Sequence, residues 1–151
     1  MQRSDSAAMR DPKANRATES RDSEPSLDSL VAELRRTSGS FERSSDGSWS
    51  FVGPDEGFKR FDAYRDRAVA KLAACIADTS KATARVDGRD APLGVMCYWA
   101  LRRIAYYEWQ TDPEFKDGWP GEIQPTASAA QLRAASAAWK RVIALKRYSL
   151  T

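Results

Sequence analysis

The amino-acid sequence predicts a mainly α protein. Its expected form is a compact three-helix core with a small β-hairpin insertion, preceded by a disordered N-terminal tail. Three observations carry this expectation. Apolar side chains recur at helical spacing in three stretches of the C-terminal two thirds. Those stretches are separated by segments rich in Pro, Gly and Asp. The first 25 residues hold almost no large apolar side chain and cannot bury enough surface to offset their ordering entropy. The expected organisation is a tail over 1–25, a short amphipathic helix and linker over 26–54, and a helical domain over 55–151.

From the N-terminal side, Ser26 is a fair N-cap. Leu27, Leu30, Val31 and Leu34 then follow the i, i+3, i+4, i+7 pattern, with Gly39 as a stop signal. At this length the helix is marginal alone, so it must dock, and the chain's own domain is the nearest surface. Residues 38–54 return to Ser, Gly and Asp. Trp49-Ser50-Phe51 alternates, which fits either a short strand or a loop pinned by its aromatics.

Asp55 starts the first core helix, expected over 56–78, with Phe58, Phe61, Ala68, Leu72, Cys75 and Ile76 as its stripe. Asp87-Gly88 is a strong type I′ hairpin signal, and Pro92 restricts the second arm to a sheet edge. The second core helix is expected over 94–109. One stripe holds Cys97, Leu101, Ile104 and Glu108, and another holds Trp99, Arg102, Tyr106 and Trp109. Residues 110–125 form a turn-rich loop fastened by Phe115, Trp119 and Ile123. The last helix, expected over 128–147, opens on the capping box Ser128/Gln131 and turns Leu132, Ala135, Trp139 and Val142 inward. Short connections favour antiparallel neighbours.

The sequence holds no histidine, which removes His-based acid/base chemistry, His-dependent nucleophiles and His-ligated metals. No phosphate-cradling glycine loop, nucleophile elbow or dinucleotide fingerprint occurs, so no catalytic, cofactor or metal residue is assigned. The loop acids Asp112, Glu114, Asp117 and Glu122 do not match a calcium loop. Glu108 is the one carboxylate set in an apolar helix pattern, and Arg65 and Arg102 are its candidate partners. The two cysteines, Cys75 and Cys97, sit in apolar helical runs. Buried free thiols, a disulfide between adjacent helices and a reactive thiol all remain open.

Charge is uneven. Residues 1–57 hold 8 Lys+Arg against 11 Asp+Glu, a net of −3, and residues 58–151 hold 16 against 10, a net of +6. Within 124–151, Arg133, Lys140, Arg141, Lys146 and Arg147 face no acid. The helix-end cations Lys140, Arg141, Lys146 and Arg147 suit the helix dipole and also a nucleic-acid backbone. Trp99, Arg102, Arg103, Tyr106 and Trp109 combine the residue types that dominate protein-binding hot spots.

From Cys75 to Ile104 the sequence reads CIADTSKATARVDGRDAPLGVMCYWALRRI. A helix ending in Asp-Thr, a Gly-turn hairpin and Leu-Gly-x-x-Cys-x-x-Ala-Leu-x-x-Ile are followed by a later helical Trp, here Trp139. This run resembles a small bacterial helical module, a degenerate terminal HEAT-type repeat, over roughly residues 68–147. The resemblance implies helix-pair packing and, by analogy, a protein-binding role. A single unit cannot build the long concave surface of a repeat array.

The sequence therefore favours a non-enzymatic protein–protein interaction module, an adaptor or an inhibitor of immunity type. Nucleic-acid binding through the basic C-terminal helix is the alternative, and a carboxylate-based enzyme the remote one. The expected partner is another protein, with nucleic acid second and no membrane. With no apolar leader in the N-terminal stretch and no membrane-length run, the cytoplasm is the simplest compartment.

Overall fold

The computed structural model describes residues 24–151, so the tail expected over 1–25 lies almost wholly outside the described residues. Helix α1 spans Leu27–Arg36 and is capped by Ser26, whose hydroxyl accepts from the Ser29 N–H. It buries Leu30 and Leu34 in the main core. Strands β1 (Ser40–Arg43) and β2 (Trp49–Val52) follow as an antiparallel hairpin. A short helix α2 (Glu56–Lys59) runs into a 3-10 turn (Arg60–Tyr64), and helix α3 spans Asp66–Cys75. Strands β3 (Lys81–Val86) and β4 (Arg89–Pro92) form a second hairpin. Helix α4 spans Leu93–Ile104, strand β5 Ala105–Tyr106, helix α5 Ala129–Ala144 and strand β6 Ser149–Leu150.

The fold is thus an α/β mix, and the expectation of a mainly α three-helix core is corrected. The two hairpins join into one mixed sheet of order β2-β1-β3-β4, in which β1 and β3 run parallel (Ser40 opposite Arg85, Phe41 opposite Val86). On β3, Ala82, Ala84 and Val86 point inward and Lys81, Thr83 and Arg85 outward, the period-2 pattern of a sheet with one covered face. Helix α1 rests on β3 and α4, and α3 lies between α4 and α5. One core joins all layers, with Leu30, Phe41, Phe61, Leu72, Met96, Leu101 and Leu132 buried within it. Residues 26–54 contribute a helix and half of the main sheet to this core.

Two helices end earlier than their stripes suggest. The helix expected over 56–78 is broken at Arg65, whose φ of 52° lies outside the right-handed helical region. The stripe already lapses there, because Tyr64 and Arg65 occupy the turn between Phe61 and Ala68. The break lets both aromatic rings of the first segment, Phe58 and Phe61, bury beside a separately aimed α3. The helix expected over 94–109 stops at Ile104. Residues 105–106 pair instead with Ser149 and Leu150, and the Thr151 N–H donates to the Ile104 carbonyl at 3.1 Å. The C-terminus thereby takes up backbone groups that a longer helix would have used internally. Helix α5 keeps its capping box at Ser128/Gln131. It ends in a Schellman pattern: the Arg147 N–H donates to the Val142 carbonyl and the Lys146 N–H to that of Ile143.

No helix among the described residues is long and apolar enough to cross a membrane.

Candidate functional site

Between β2 and the C-terminal half of α4 lies an open cleft of about 340 Å³. Its strand wall is Trp49 and Phe51, alternate residues of β2 that turn toward the helices and are half-buried. Its helical wall is Trp99, Arg102 and Arg103. Asp55 and Phe58 close one end.

The cleft is built from paired cations and aromatic faces. The Arg102 guanidinium lies 4.8 Å from the Trp99 ring centroid, one helical turn away on α4. Arg43, opposite Trp49 in the hairpin register, lies 5.5 Å from the Trp49 ring centroid. Such stacking contributes about 0.5–1 kcal/mol at exposed sites and leaves the guanidinium edge free to donate. Among the described residues, neither Arg43 nor Arg102 forms a salt bridge. Arg103 differs, pairing with Asp62 at 3.0 Å. Beneath the cleft, edge-to-face contacts of Phe41 with Trp99 (4.9 Å) and Phe51 (5.1 Å), and of Phe51 with Phe58 (5.0 Å), hold the walls in place. The Trp49 indole N–H is shielded from solvent and finds no acceptor among the described residues.

The hairpin that presents Trp49 is itself held firmly. Ser44 and Ser48 donate to the Asp46 carboxylate, and these hydrogen bonds, Ser44 first, lower its pKa to about 2. Gly47 takes a φ of 87° there, as a three-residue hairpin loop closing on a bulge requires.

The aromatic stripe drawn from the sequence is not one surface. Trp99 and Arg102 lie in the cleft, but α4 ends before Tyr106 and Trp109. Tyr106 is 52 % exposed on β5, and Trp109 opens a 3-10 turn and is half-buried. The missed lining residues of the strand wall are Trp49 and Phe51, some fifty residues upstream of Trp99, and Arg43, outside the lining, stacks on Trp49. The alternation Trp49-Ser50-Phe51 was their only signal.

The basic C-terminal helix is largely occupied by loop acids. Arg141 pairs with Glu114 at 2.5 Å, and Arg147 with Asp112 at 3.0 Å and Glu114 at 2.7 Å. Asp112 also accepts from the Tyr107 hydroxyl at 2.5 Å. Tyr107 first, then the Glu114 backbone N–H, hold the Asp112 carboxyl below the usual range. Arg147 and then Arg141 do the same for Glu114. Of the five cations expected to contact phosphate, Arg133, Lys140 and Lys146 stay exposed without a carboxylate partner among the described residues, and Arg141 and Arg147 are paired.

Glu108 is exposed and pairs with neither Arg65 nor Arg102 among the described residues. No group of His, Cys, Asp and Glu among the described residues is arranged to hold a metal ion. A larger recess of about 450 Å³ between the 120–127 loop and α5 is lined by Glu122 and by small or uncharged residues, with no aromatic or cationic group. Cys75, the last residue of α3, is joined by a disulfide to Cys97 of α4, with Cα atoms 5.8 Å apart.

No family model, curated protein or solved structure matches the chain.

Proposed function

We propose that the chain is a non-enzymatic protein-binding module, of adaptor or inhibitor type, whose recognition surface is the Trp49–Trp99–Arg102 cleft. The observation that carries this reading is the stacking of Arg43 and Arg102 on two tryptophans, with neither guanidinium in a salt bridge among the described residues. Trp and Arg placed in a preformed, half-desolvated depression are the residues that dominate binding energy at protein interfaces. Their stacking also lowers the entropy lost on binding. The resemblance of the α3–hairpin–α4 run to a terminal HEAT-type unit favours a protein partner by analogy. The absence of histidine and of any convergent acid/base pair in the cleft favours binding over catalysis.

The Cys75–Cys97 disulfide favours an oxidising compartment over the cytoplasm expected from the sequence, since cytosolic thiols are kept reduced.

The test is capture of partners by the full chain, its disulfide intact, in parallel with Arg102→Ala and with a Lys140→Ala/Lys146→Ala double variant. A discrete protein that survives nuclease and moderate salt, and is lost only with Arg102→Ala, supports the reading. Material lost to nuclease, or lost only with the double lysine variant, contradicts it and points to nucleic acid.

A further inference from the structure

The main sheet has two edges, and they are built differently. Strand β4 is blunted by Arg89, Asp90 and Pro92, the usual protection against an added strand. Strand β2 reads Trp-Ser-Phe-Val, with no charge and no proline, and Val52 is 51 % exposed.

The hairpin geometry shows which peptide groups β2 presents outward. The Ser44 N–H donates to the Ser48 carbonyl at 2.8 Å, and the Gly47 N–H donates to the Ser44 carbonyl at 3.0 Å. Hydrogen-bonded and non-hydrogen-bonded pairs alternate along an antiparallel ladder. From that closure, Arg43–Trp49 is a non-hydrogen-bonded pair, Glu42–Ser50 a hydrogen-bonded one, and Phe41–Phe51 again non-hydrogen-bonded. The close Phe41–Phe51 ring contact fits this phase. The N–H and C=O groups of Trp49 and Phe51 therefore point away from β1, and no hydrogen bond outside the ladder engages them among the described residues. Trp49 and Phe51 are also the two β2 residues whose side chains line the cleft.

We infer that an extended, acidic segment of a partner protein adds to β2 as a fifth strand. Its backbone pairs with Trp49 and Phe51, and a carboxylate side chain on the inward face meets Arg43 or Arg102. This deepens the cleft reading and rests on it. Side chains opposite Trp49 and Phe51 point to the same face as those residues, so two inward positions, two residues apart, reach the cleft. The free guanidinium edges select an acid for one of them, and the aromatic floor selects an apolar residue for the other. The same charges disfavour a second copy of this chain as occupant. Pairing β2 with β2 would set the Arg43 and Arg102 cations of both copies against one another, and the one carboxylate lining each cleft, Asp55, already pairs with Lys59 at 3.4 Å.

The test is a displayed library of random short peptides, panned against the full, oxidised chain. Enriched peptides are then synthesised and their binding measured by fluorescence anisotropy. The expected enrichment is one acidic and one apolar residue two positions apart. Single backbone N-methylation should abolish binding at alternate residues only, the pattern of strand pairing. Arg102→Ala, with thermal unfolding checked against the parent, should weaken binding by about thirtyfold, as loss of a hot-spot arginine does. Failure to enrich, a basic consensus, or apolar residues at helical spacing would overturn the proposal. So would a chain that dimerises through β2 in sedimentation. If binding depends on Arg102 but is indifferent to N-methylation, strand addition falls and the cleft reading stands. If it depends on neither, both fall.

Discussion

Arg102 lies over the face of Trp99 at 4.8 Å, three residues along the same helix, and forms no salt bridge among the described residues. An arginine in this state is ordered without being neutralised. Replacing Arg102 by Ala should leave the thermal midpoint nearly unchanged, because the side chain is exposed and its stacking contributes only about 0.5–1 kcal/mol. Trp99→Ala should lower stability as well as partner binding, because Trp99 also packs edge-to-face on the buried Phe41. Thermal unfolding and partner titration on the two variants separate these effects.

Gly94 and Lys146 make opposite predictions about glycine. A Cβ on Gly94 would lie 2.0 Å from the backbone carbonyl oxygen of Ile76, where α4 begins against the end of α3. The Gly94 N–H also donates to the Asp78 carbonyl at 2.8 Å. Gly94→Ala should therefore cost about 3 kcal/mol or more, because backbone rather than a movable side chain must shift. Lys146, exposed and at φ 54°, occupies the left-handed position of the α5 C-cap, where a Cβ is unfavourable. Lys146→Gly should raise stability by about 0.5–1 kcal/mol. Urea denaturation of both variants checks the pair of signs.

The disulfide closes a loop of sequence separation 22 between α3 and α4. Chain-entropy arguments put its contribution at roughly 3 kcal/mol. Reduction, or Cys75→Ser with Cys97→Ala, should lower the unfolding free energy by that amount, and the midpoint with it, while the strands and helices persist in circular dichroism. An unchanged midpoint after reduction would show that the bond does not constrain the unfolded chain.

The Tyr107–Asp112–Glu114–Arg147 cluster has a pH signature. Asp112 and Glu114 are held below the usual carboxylate range, so the folded state binds fewer protons than the unfolded one in that range. Their stabilisation is fully present above the ordinary carboxylate pKa and is lost as pH falls through the lowered values. On the alkaline side, Tyr107 is pushed up to about 12 by burial and by Asp112, and Tyr148 to about 12 chiefly by its hydrogen bond to Asp66. Their contribution holds below pH about 10 and is lost between about 10 and 12. Arg147→Ala should raise the Glu114 pKa more than that of Asp112, because Tyr107, not Arg147, is the largest influence on Asp112. Carboxyl carbon chemical shifts followed through an acid titration measure both.

Local signals were legible and non-local pairing was not. Ser26, the Asp87-Gly88 turn and the Ser128/Gln131 box each act within four residues, and each sits in the structure where its chemistry suggests. Asp87 and Gly88 take φ of 50° and 78°, the double positive that the turn requires. The parallel join of β1 to β3 links residues some forty-five positions apart, and only Phe41 on β1 is buried, so no alternation announced it. That one join turns two hairpins into a sheet and makes the fold an α/β mix. The pairing of β5 with the last residues of the chain likewise overrode a helical pattern that continued to Trp109. The cleft was half legible for the same reason. Its helical wall lies within a single period-3.6 run, whereas its strand wall depends on where a distant hairpin docks.

The most direct test of the account is the affinity of a captured partner for three forms of the oxidised chain: the parent, Arg102→Ala, and the Lys140→Ala/Lys146→Ala double variant. The cleft account predicts a loss of about thirtyfold for Arg102→Ala and no more than about twofold for the double lysine variant. Equal affinity for the parent and Arg102→Ala, with the loss falling on the lysine pair, would contradict it and return the function to the basic end of α5.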